Sequence, residues 1–158
     1  MRFAAPVLAA LALSGCSLFM RSMEKPTAEV RNVSLTNAGF TGLTGQLQMD
    51  VSNPNAFGVP LSGVDWQLSI GGARAVTGSA QLQANIPARG VAPVTTALTI
   101  DARDAIEVGS LIASGTRTYQ LDAKLTFSTK IGPLTVEVHH QGTLGDGASR
   151  FGGILGSL

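Results

Sequence analysis

The apolar residues of this 158-residue chain recur at every second position over long segments, and this period constrains the fold more than any other feature. Side chains alternate between the two faces of a β-strand, so each such segment presents one face to a core and the other to water. The inward sets are clearest in five segments: Leu47, Met49 and Val51; Val64, Trp66, Leu68 and Ile70; Ala80, Leu82, Ala84 and Ile86; Tyr119, Leu121, Ala123, Leu125 and Phe127; Leu134, Val136 and Val138. This half-buried pattern favours antiparallel sheets over a parallel sheet that is covered on both faces.

Two less regular segments complete a set of seven predicted strands. One has Val94, Leu98 and Ile100 on a common face, and the other has Val30, Val33 and Leu35, whose parity changes partway. A change of parity within a strand is typical of a β-bulge. Between two of the regular strands, Gly71-Gly72 matches a two-residue hairpin turn in which both residues have positive φ.

One segment, Asp101 to Gly115, departs from the period of two and predicts a short helix of two to three turns. Its apolar residues lie on one helical face, Asp101 can cap the start, and Gly115 fits just past the end. Seven strands with this helix inserted before the last two predict an all-β fold, an antiparallel β-sandwich of two packed sheets.

The N-terminus carries a leader pattern that ends in Leu13-Ser14-Gly15-Cys16. Arg2 precedes an apolar run of about eleven residues, which is shorter than the roughly twenty that a membrane-spanning helix needs. The pattern resembles the lipobox of bacterial lipoproteins, in which the cysteine is lipidated with fatty acyl chains such as palmitate and becomes the new N-terminus. An ordinary secretory signal that happens to contain Cys16 is the alternative.

These patterns divide the chain into four parts. Residues 1–15 are a predicted signal peptide, 16–26 a lipidated N-terminus and tether, 27–144 the β-sandwich domain, and 145–158 a Gly-rich tail. Ser17 after the cysteine resembles the sorting pattern for the outer membrane. We therefore expect a lipid-anchored protein of the bacterial cell envelope, on the outer membrane and facing the periplasm.

Composition and motif content argue against catalysis and against several ligand classes. Charged residues are 13% of the chain and form no basic patch, which disfavours a nucleic-acid partner. The two histidines, His139 and His140, are adjacent on a predicted strand and therefore point to opposite faces; His140 shares parity with Val138 and is expected to point inward. With one cysteine in the chain, no metal site or cofactor is expected. No Gly-x-Ser-x-Gly elbow nominates a nucleophile, so we expect no catalytic residues and no enzyme.

A family resemblance rests on the segment from Met49 to Asn55, in which a strand ends in Asn53-Pro54-Asn55. Val59-Pro60-Leu61, a strand with Trp66, a Gly-Gly turn and Ile86-Pro87-Ala88-Arg89-Gly90 follow in order. Together they resemble the late embryogenesis abundant type 2 family, also called the water-stress and hypersensitive-response domain. The resemblance implies a fibronectin- or immunoglobulin-like sandwich, an association with desiccation and other stress, and no common enzymatic activity. Lipid binding has been proposed for some members.

The Asn53-Pro54-Asn55 triplet also has an interpretation from physical chemistry. The Asn53 side chain can accept a backbone hydrogen bond in an Asx-turn, Pro54 fixes φ, and Asn55 tolerates the left-handed region. The triplet is therefore expected to stop a strand and turn the chain, which is an architectural role.

Three non-catalytic functions remain open. One is a subunit of a larger envelope assembly, for which Phe151, Ile154 and Leu155 on the Gly-rich tail would be the contact. The other two come from different classes. The first is a stress-protective or scaffolding module that is held at the membrane face and acts by protein contacts. The second is a carrier for a lipid or another apolar ligand, held in a groove between the sheets. The candidate groove residues are Trp66, Leu68, Leu121, Leu125 and Phe127, which a filled core would explain equally well.

Overall fold

Seven strands and one helix make up the described part of the chain, which in this computed structural model comprises residues 23–39, 41–73 and 76–144. The elements in chain order are β1 Thr27–Gly39, β2 Gly42–Asn53, β3 Val59–Ile70, β4 Val76–Ile86, β5 Gly90–Asp101, α1 Ala102–Ala113, β6 Thr118–Thr129 and β7 Gly132–Thr143. This confirms the predicted all-β architecture with one helix before the last two strands.

The strands form two antiparallel sheets that pack face to face. The three-stranded sheet has the order β1-β2-β5, and the four-stranded sheet has the order β4-β3-β6-β7. The chain therefore crosses between sheets after β2, after β4 and, through α1, after β5. Each sheet turns its apolar residues toward the other, as expected for strands with one polar and one apolar face.

Burial differs between the inner and outer strands of the four-stranded sheet. The inward residues of β3 and β6 are almost fully buried, whereas Leu82 and Ala84 on β4 and Leu134, Val136 and Val138 on β7 are only half-buried. The three-stranded sheet is narrower than the four-stranded sheet on which it packs, so it covers the edge strands β4 and β7 incompletely.

The predicted bulge in β1 is confirmed. Val30 pairs with Met49 and Asn32 with Gln48, so one extra residue, Arg31, stands on β1 opposite β2. Strand β3 is irregular as well, since Leu61 pairs with Phe127 and Gly63 with Thr126. The bulge at Ser62 changes the parity of the inward residues of β3, and the Ser62 hydroxyl donates to the Thr126 carbonyl at 2.9 Å.

The ends of α1 agree with the prediction at the C-terminus and differ in part at the N-terminus. Gly115 has φ +94°, its N–H donates to the Ile112 carbonyl, and the Thr116 N–H donates to the Leu111 carbonyl, which is the Schellman arrangement. Asp101 occupies the N-cap position but makes no side-chain cap hydrogen bond. The helix has 12 residues, slightly more than the expected two to three turns.

The Gly71-Gly72 turn has the predicted positive φ angles at both residues. Their φ angles are +60° and +76°, and the Ala73 N–H donates to the Ile70 carbonyl at 3.0 Å. Strand β3 ends at Ile70, and β4 begins at Val76.

The two ends of the sandwich carry different loops and secondary-structure elements. At one end, which we call the loop end, lie residues 23–26, the β2–β3 loop 54–58, the β4–β5 loop 87–89 and the β6–β7 turn 130–131. At the opposite end, the helix end, lie α1 and the turns between β1 and β2 and between β3 and β4.

Candidate functional site

The Asn53-Pro54-Asn55 triplet organises the loop end through a buried amide network. The Asn53 side chain is 1% exposed, and its Nδ2 donates toward the carbonyls of Phe57 at 2.7 Å, Pro87 at 3.1 Å and Ile86 at 3.3 Å. Asn53 is the last residue of β2, and these carbonyls belong to the β2–β3 loop, the end of β4 and the following loop. One side chain therefore joins three segments at the place where the chain crosses between the sheets.

Asn55 extends this network to the start of the domain. Its N–H donates to Asn53 Oδ1 at 3.0 Å, which confirms the predicted Asx-turn, and its Nδ2 donates to the same oxygen at 2.9 Å. Asn55 also binds the main chain of Glu24 in both directions, and its own carbonyl accepts from the Arg89 N–H at 2.8 Å.

The expectation that Asn55 uses its tolerance for the left-handed region is wrong. Among the described non-glycine residues, Arg89 is the one with positive φ, at 50°. Asn55 instead contributes a side-chain amide that is 4% exposed and bonded to two other segments. Buried amides that are satisfied in this way stabilise a unique arrangement of loops, which agrees with an architectural role.

The five candidate groove residues lie in the core of the sandwich. Trp66 is 4% exposed, Leu68 and Leu121 are 1% exposed, and Leu125 and Phe127 are 0% exposed. They belong to β3 and β6, the two inner strands of the four-stranded sheet, and pack against the three-stranded sheet. A ligand could reach them only if the sheets separated or the surrounding side chains moved.

A depression of about 620 Å³ lies on the opposite, outer face of the four-stranded sheet and crosses all four strands. Its lining includes Trp66, Gly78 and Ala123 besides outward polar side chains. Two lateral rows line it, as the strand pairing shows: Ser79, Asp65, Lys124 and Glu137 in one row, and Thr77, Gln67, Asp122 and His139 in the other. We call this surface the polar face.

Opposite charges meet on neighbouring strands across the polar face. Asp65 and Lys124 are cross-strand partners, and so are Lys124 and Glu137. His139 Nδ1 lies 2.5 Å from Asp122 Oδ1. The hydrogen bond that His139 donates to the Asp122 carboxylate, together with the charge of that carboxylate, raises the pKa of His139 above the ordinary value, and the charge of Glu137 adds to this effect. The charge of this surface therefore depends on the protonation of His139.

The two histidines point to opposite faces, as predicted. His139 is exposed on the polar face, whereas His140 is half-buried on the inner face beside Tyr119, with ring centroids 5.9 Å apart. Burial raises the pKa of the Tyr119 hydroxyl. This arrangement brings no second histidine to Asp122.

Potential metal ligands do not converge in the part of the chain that the structure describes. No cluster of three or more His, Cys, Asp or Glu side chains that could hold a metal occurs there. Two buried polar atoms within the described residues have no hydrogen-bond partner, Trp66 Nε1 and Thr96 Oγ1. They belong to different sheets, and nothing in the structure explains why they are unpaired.

Some predicted sites lie outside the described residues. These are the lipobox residues Leu13, Ser14, Gly15 and Cys16, and the tail with Phe151, Ile154 and Leu155. Across residues 23–39, 41–73 and 76–144, no helix has the length and hydropathy required to cross a membrane.

Two features of the described surface were not predicted from the sequence. The polar face consists of outward residues that each look like ordinary solvated positions, and only the strand order β4-β3-β6-β7 brings them together. The second feature is a pair of glycines covered by aromatic side chains: Gly78 is the cross-strand partner of Trp66, and Gly142 that of Tyr119. Both glycines lie on edge strands, and the alternation of apolar residues gave no signal for either pair.

Comparison with known families agrees with the resemblance found in the sequence. The model of the late embryogenesis abundant protein family matches residues 48–142, which is more than half of the chain. That segment contains the Asn53-Pro54-Asn55 triplet, both sheets in part and α1. No curated protein sequence matches the chain.

Solved structures show the same fold in distant relatives. The solution structure of a protein described as late embryogenesis abundant is 21% identical and has a TM-score of 0.60, covering 81% of this chain and 76% of that one. The Arabidopsis thaliana protein AT1g01470 is 16% identical and has a TM-score of 0.65, covering 90% and 88%. A protein from Archaeoglobus fulgidus is 14% identical and has a TM-score of 0.54, covering 77% and 94%. At these identities the likeness shows the fold.

Proposed function

This chain belongs to the late embryogenesis abundant protein family, and from that premise we propose that it is a lipid-anchored, stress-related module of a bacterial cell envelope. In this proposal Cys16 carries the acyl chains, and the β-sandwich stands on the outer membrane and faces the periplasm. The sandwich acts without catalysis, through contacts with envelope proteins. The leader pattern at residues 1–16 supports the anchor, and the family supports the association with water stress.

The observation that carries the contact function is the contrast between the closed core and the open polar face. The apolar residues that could line a groove are at most 4% exposed, whereas the two rows along the depression of about 620 Å³ consist of exposed or half-buried side chains with charged, imidazole, amide and hydroxyl groups. Such a surface suits a partner with complementary polar groups, because charge patterns provide specificity and register in protein contacts. The polar face is therefore the proposed contact surface.

The anchor is tested first in cells. We expect the wild-type protein to incorporate an alkyne analogue of palmitate and to fractionate with outer membranes, and Cys16→Ala to do neither. Labelling that persists in Cys16→Ala would overturn the assignment of the lipid to this residue. Survival of drying by a deletion strain, complemented with wild type or Cys16→Ala, then measures the stress role.

The contact surface is tested by photo-crosslinking from single positions. A photoreactive residue at Gln67, in the middle of the polar face, is expected to capture a defined envelope protein. The same residue at Gln46, which is exposed on the outer face of the three-stranded sheet, is the matched control. The Gln67 crosslink should disappear in Lys124→Glu. Equal capture from both positions would contradict a specific role for the polar face.

The carrier alternative makes a different prediction for the same purified protein. A lipid carrier would show a stoichiometric lipid by native mass spectrometry, in addition to the acyl chains of Cys16, and would lose it in a folded Leu125→Arg variant. The five candidate residues on β3 and β6 are buried. We therefore expect no additional bound lipid.

A further inference from the structure

Exposed apolar side chains gather at the loop end of the sandwich. Phe57 is 45% exposed on the β2–β3 loop, Val91 is 59% exposed at the start of β5, and Ile131 is 68% exposed on the β6–β7 turn. The remaining large apolar side chain with this exposure in the described residues is Ile106, at 70%, on α1 at the opposite end. Three separate segments therefore present apolar side chains at one end.

Positive charge accompanies these apolar side chains. Lys25, Arg89 and Lys130 are exposed at the loop end, together with one carboxylate, that of Glu24. At the helix end the balance is reversed among the described residues, because Asp101, Asp104 and Glu107 outnumber Arg103 and Arg117. Apolar side chains flanked by lysine and arginine are the composition of surfaces that lie in the interface of an anionic bilayer.

The N-terminal start of the domain also lies at the loop end. Glu24 is held by the Asn55 amide, and Pro26 is buried, so the described chain begins at the loop end. Six residues, 17–22, separate Cys16 from Met23 and can reach at most about 20 Å when fully extended. A lipid on Cys16 would hold the loop end, and not the helix end, next to the membrane.

We propose that the loop end is a membrane-contact surface. Phe57, Val91 and Ile131 enter the interface of an anionic bilayer, while Lys25, Arg89 and Lys130 lie among the headgroup phosphates. The orientation rests on the proposed anchor at Cys16, whereas the contact itself rests on the side chains of the loop end. The strands of the four-stranded sheet then extend away from the membrane surface. The polar face lies at the side of the domain, where it can contact neighbouring envelope proteins.

The test compares two isoleucines of equal exposure at opposite ends. The full-length protein is purified from membranes, the acylation of Cys16 is checked by mass, and the protein is reconstituted in vesicles of phosphatidylcholine and phosphatidylglycerol. Ile131→Cys and Ile106→Cys each introduce a thiol for an environment-sensitive fluorophore. We expect the probe at position 131 to shift to the blue and to lose fluorescence to lipids that carry a shallow quencher, with no change at position 106. Equal behaviour of the two probes overturns the proposal.

Charge reversal separates the electrostatic part of the contact. Arg89→Glu combined with Lys130→Glu should reduce quenching at position 131 in anionic vesicles, and the matched pair Arg103→Glu with Arg117→Glu should leave it unchanged. An acylated protein without quenching at position 131 contradicts the contact and leaves the anchor intact. If the mass shows no acyl chain, the anchor has failed, and sedimentation of that unacylated protein with the same vesicles decides the contact separately.

Discussion

The side-chain amide of Asn55 pairs with the main chain of Glu24 in both directions. Asn55 Oδ1 accepts from the Glu24 N–H at 2.9 Å, and Asn55 Nδ2 donates to the Glu24 carbonyl at 2.8 Å. The two residues are 31 positions apart, and the contact fixes the start of the domain to the loop that connects the two sheets. Glu24 precedes β1 and, among the described residues, has no partner on a neighbouring strand. The Asn55 side chain therefore supplies the hydrogen bonds that such a strand would otherwise make with the Glu24 main chain.

Removing this amide should release the start of the domain. In Asn55→Ala the Glu24 N–H loses its acceptor, so we expect its hydrogen exchange to become much faster while amides in the middle of β2 keep their protection. Exchange followed by NMR measures this directly. Gln46→Ala, at an exposed position on the same strand as Asn53, is the control. It should change the exchange of neither the Glu24 N–H nor the amides in the middle of β2. Unchanged protection of Glu24 would show that the contact contributes nothing to order there.

Asn53 should matter more for stability than any single exposed residue of the same strand. Asn53→Ala leaves the carbonyls of Phe57, Ile86 and Pro87 without this donor, and each buried group left unsatisfied costs about 1–3 kcal/mol. We expect the free energy of unfolding, measured in urea, to fall by at least about 2 kcal/mol. Asn53→Asp should cost more, because a carboxylate cannot donate to these oxygens and repels them. A loss no greater than that of Gln46→Ala would contradict the role of the network.

Gly78 should not tolerate a side chain while Trp66 is present. A Cβ on Gly78 would lie 2.2 Å from Trp66 Cζ2, so the indole would have to move out of its packed position. We expect Gly78→Ala to destabilise the protein by about 1–3 kcal/mol, as overpacking does, and to alter the emission of its one tryptophan.

Two further variants separate overpacking from the general effect of alanine in a strand. Gly39→Ala is the matched control, because a Cβ there meets nothing within 4 Å. In the double variant, Trp66→Phe should recover part of the stability that Gly78→Ala loses, since the smaller ring leaves room for the methyl group of the alanine. Equal losses in Gly39→Ala and Gly78→Ala would rule out the clash.

The pairing of His139 with Asp122 should make the charge of the polar face depend on pH. The raised pKa of His139 means that the folded state binds the proton more tightly than the unfolded state does. The stabilisation is therefore fully present below the unfolded pKa of about 6.5 and is lost as the pH rises through the pKa of folded His139.

NMR titration of the His139 ring tests this pairing. In Asp122→Asn the pKa should fall toward the ordinary value, and in Glu137→Gln it should fall less, because Glu137 acts only through its charge. A pKa of His139 that is the same in wild type and Asp122→Asn would contradict the pairing.

Local physical chemistry explains which parts of this protein the sequence alone could predict. The period of two gave the inward residues of β2, β3 and β6, because side chains must alternate on a strand wherever that strand pairs. The parity change near Val30 predicted the bulge, and Gly115 predicted the end of α1, since both depend on a few neighbouring residues. The Asx-turn at Asn53 is equally local.

Only the tertiary structure decided the features that join distant segments. The strand order placed Asp65, Lys124 and Glu137 in one row, and the pairing register placed Gly78 beside Trp66. The same applies to Asn55, which was expected to adopt the left-handed region and whose amide bonds to the distant Glu24. Alternation determines which face a residue occupies and leaves its neighbour across the sheet undetermined, because pairing is selected by the packing of the whole sandwich.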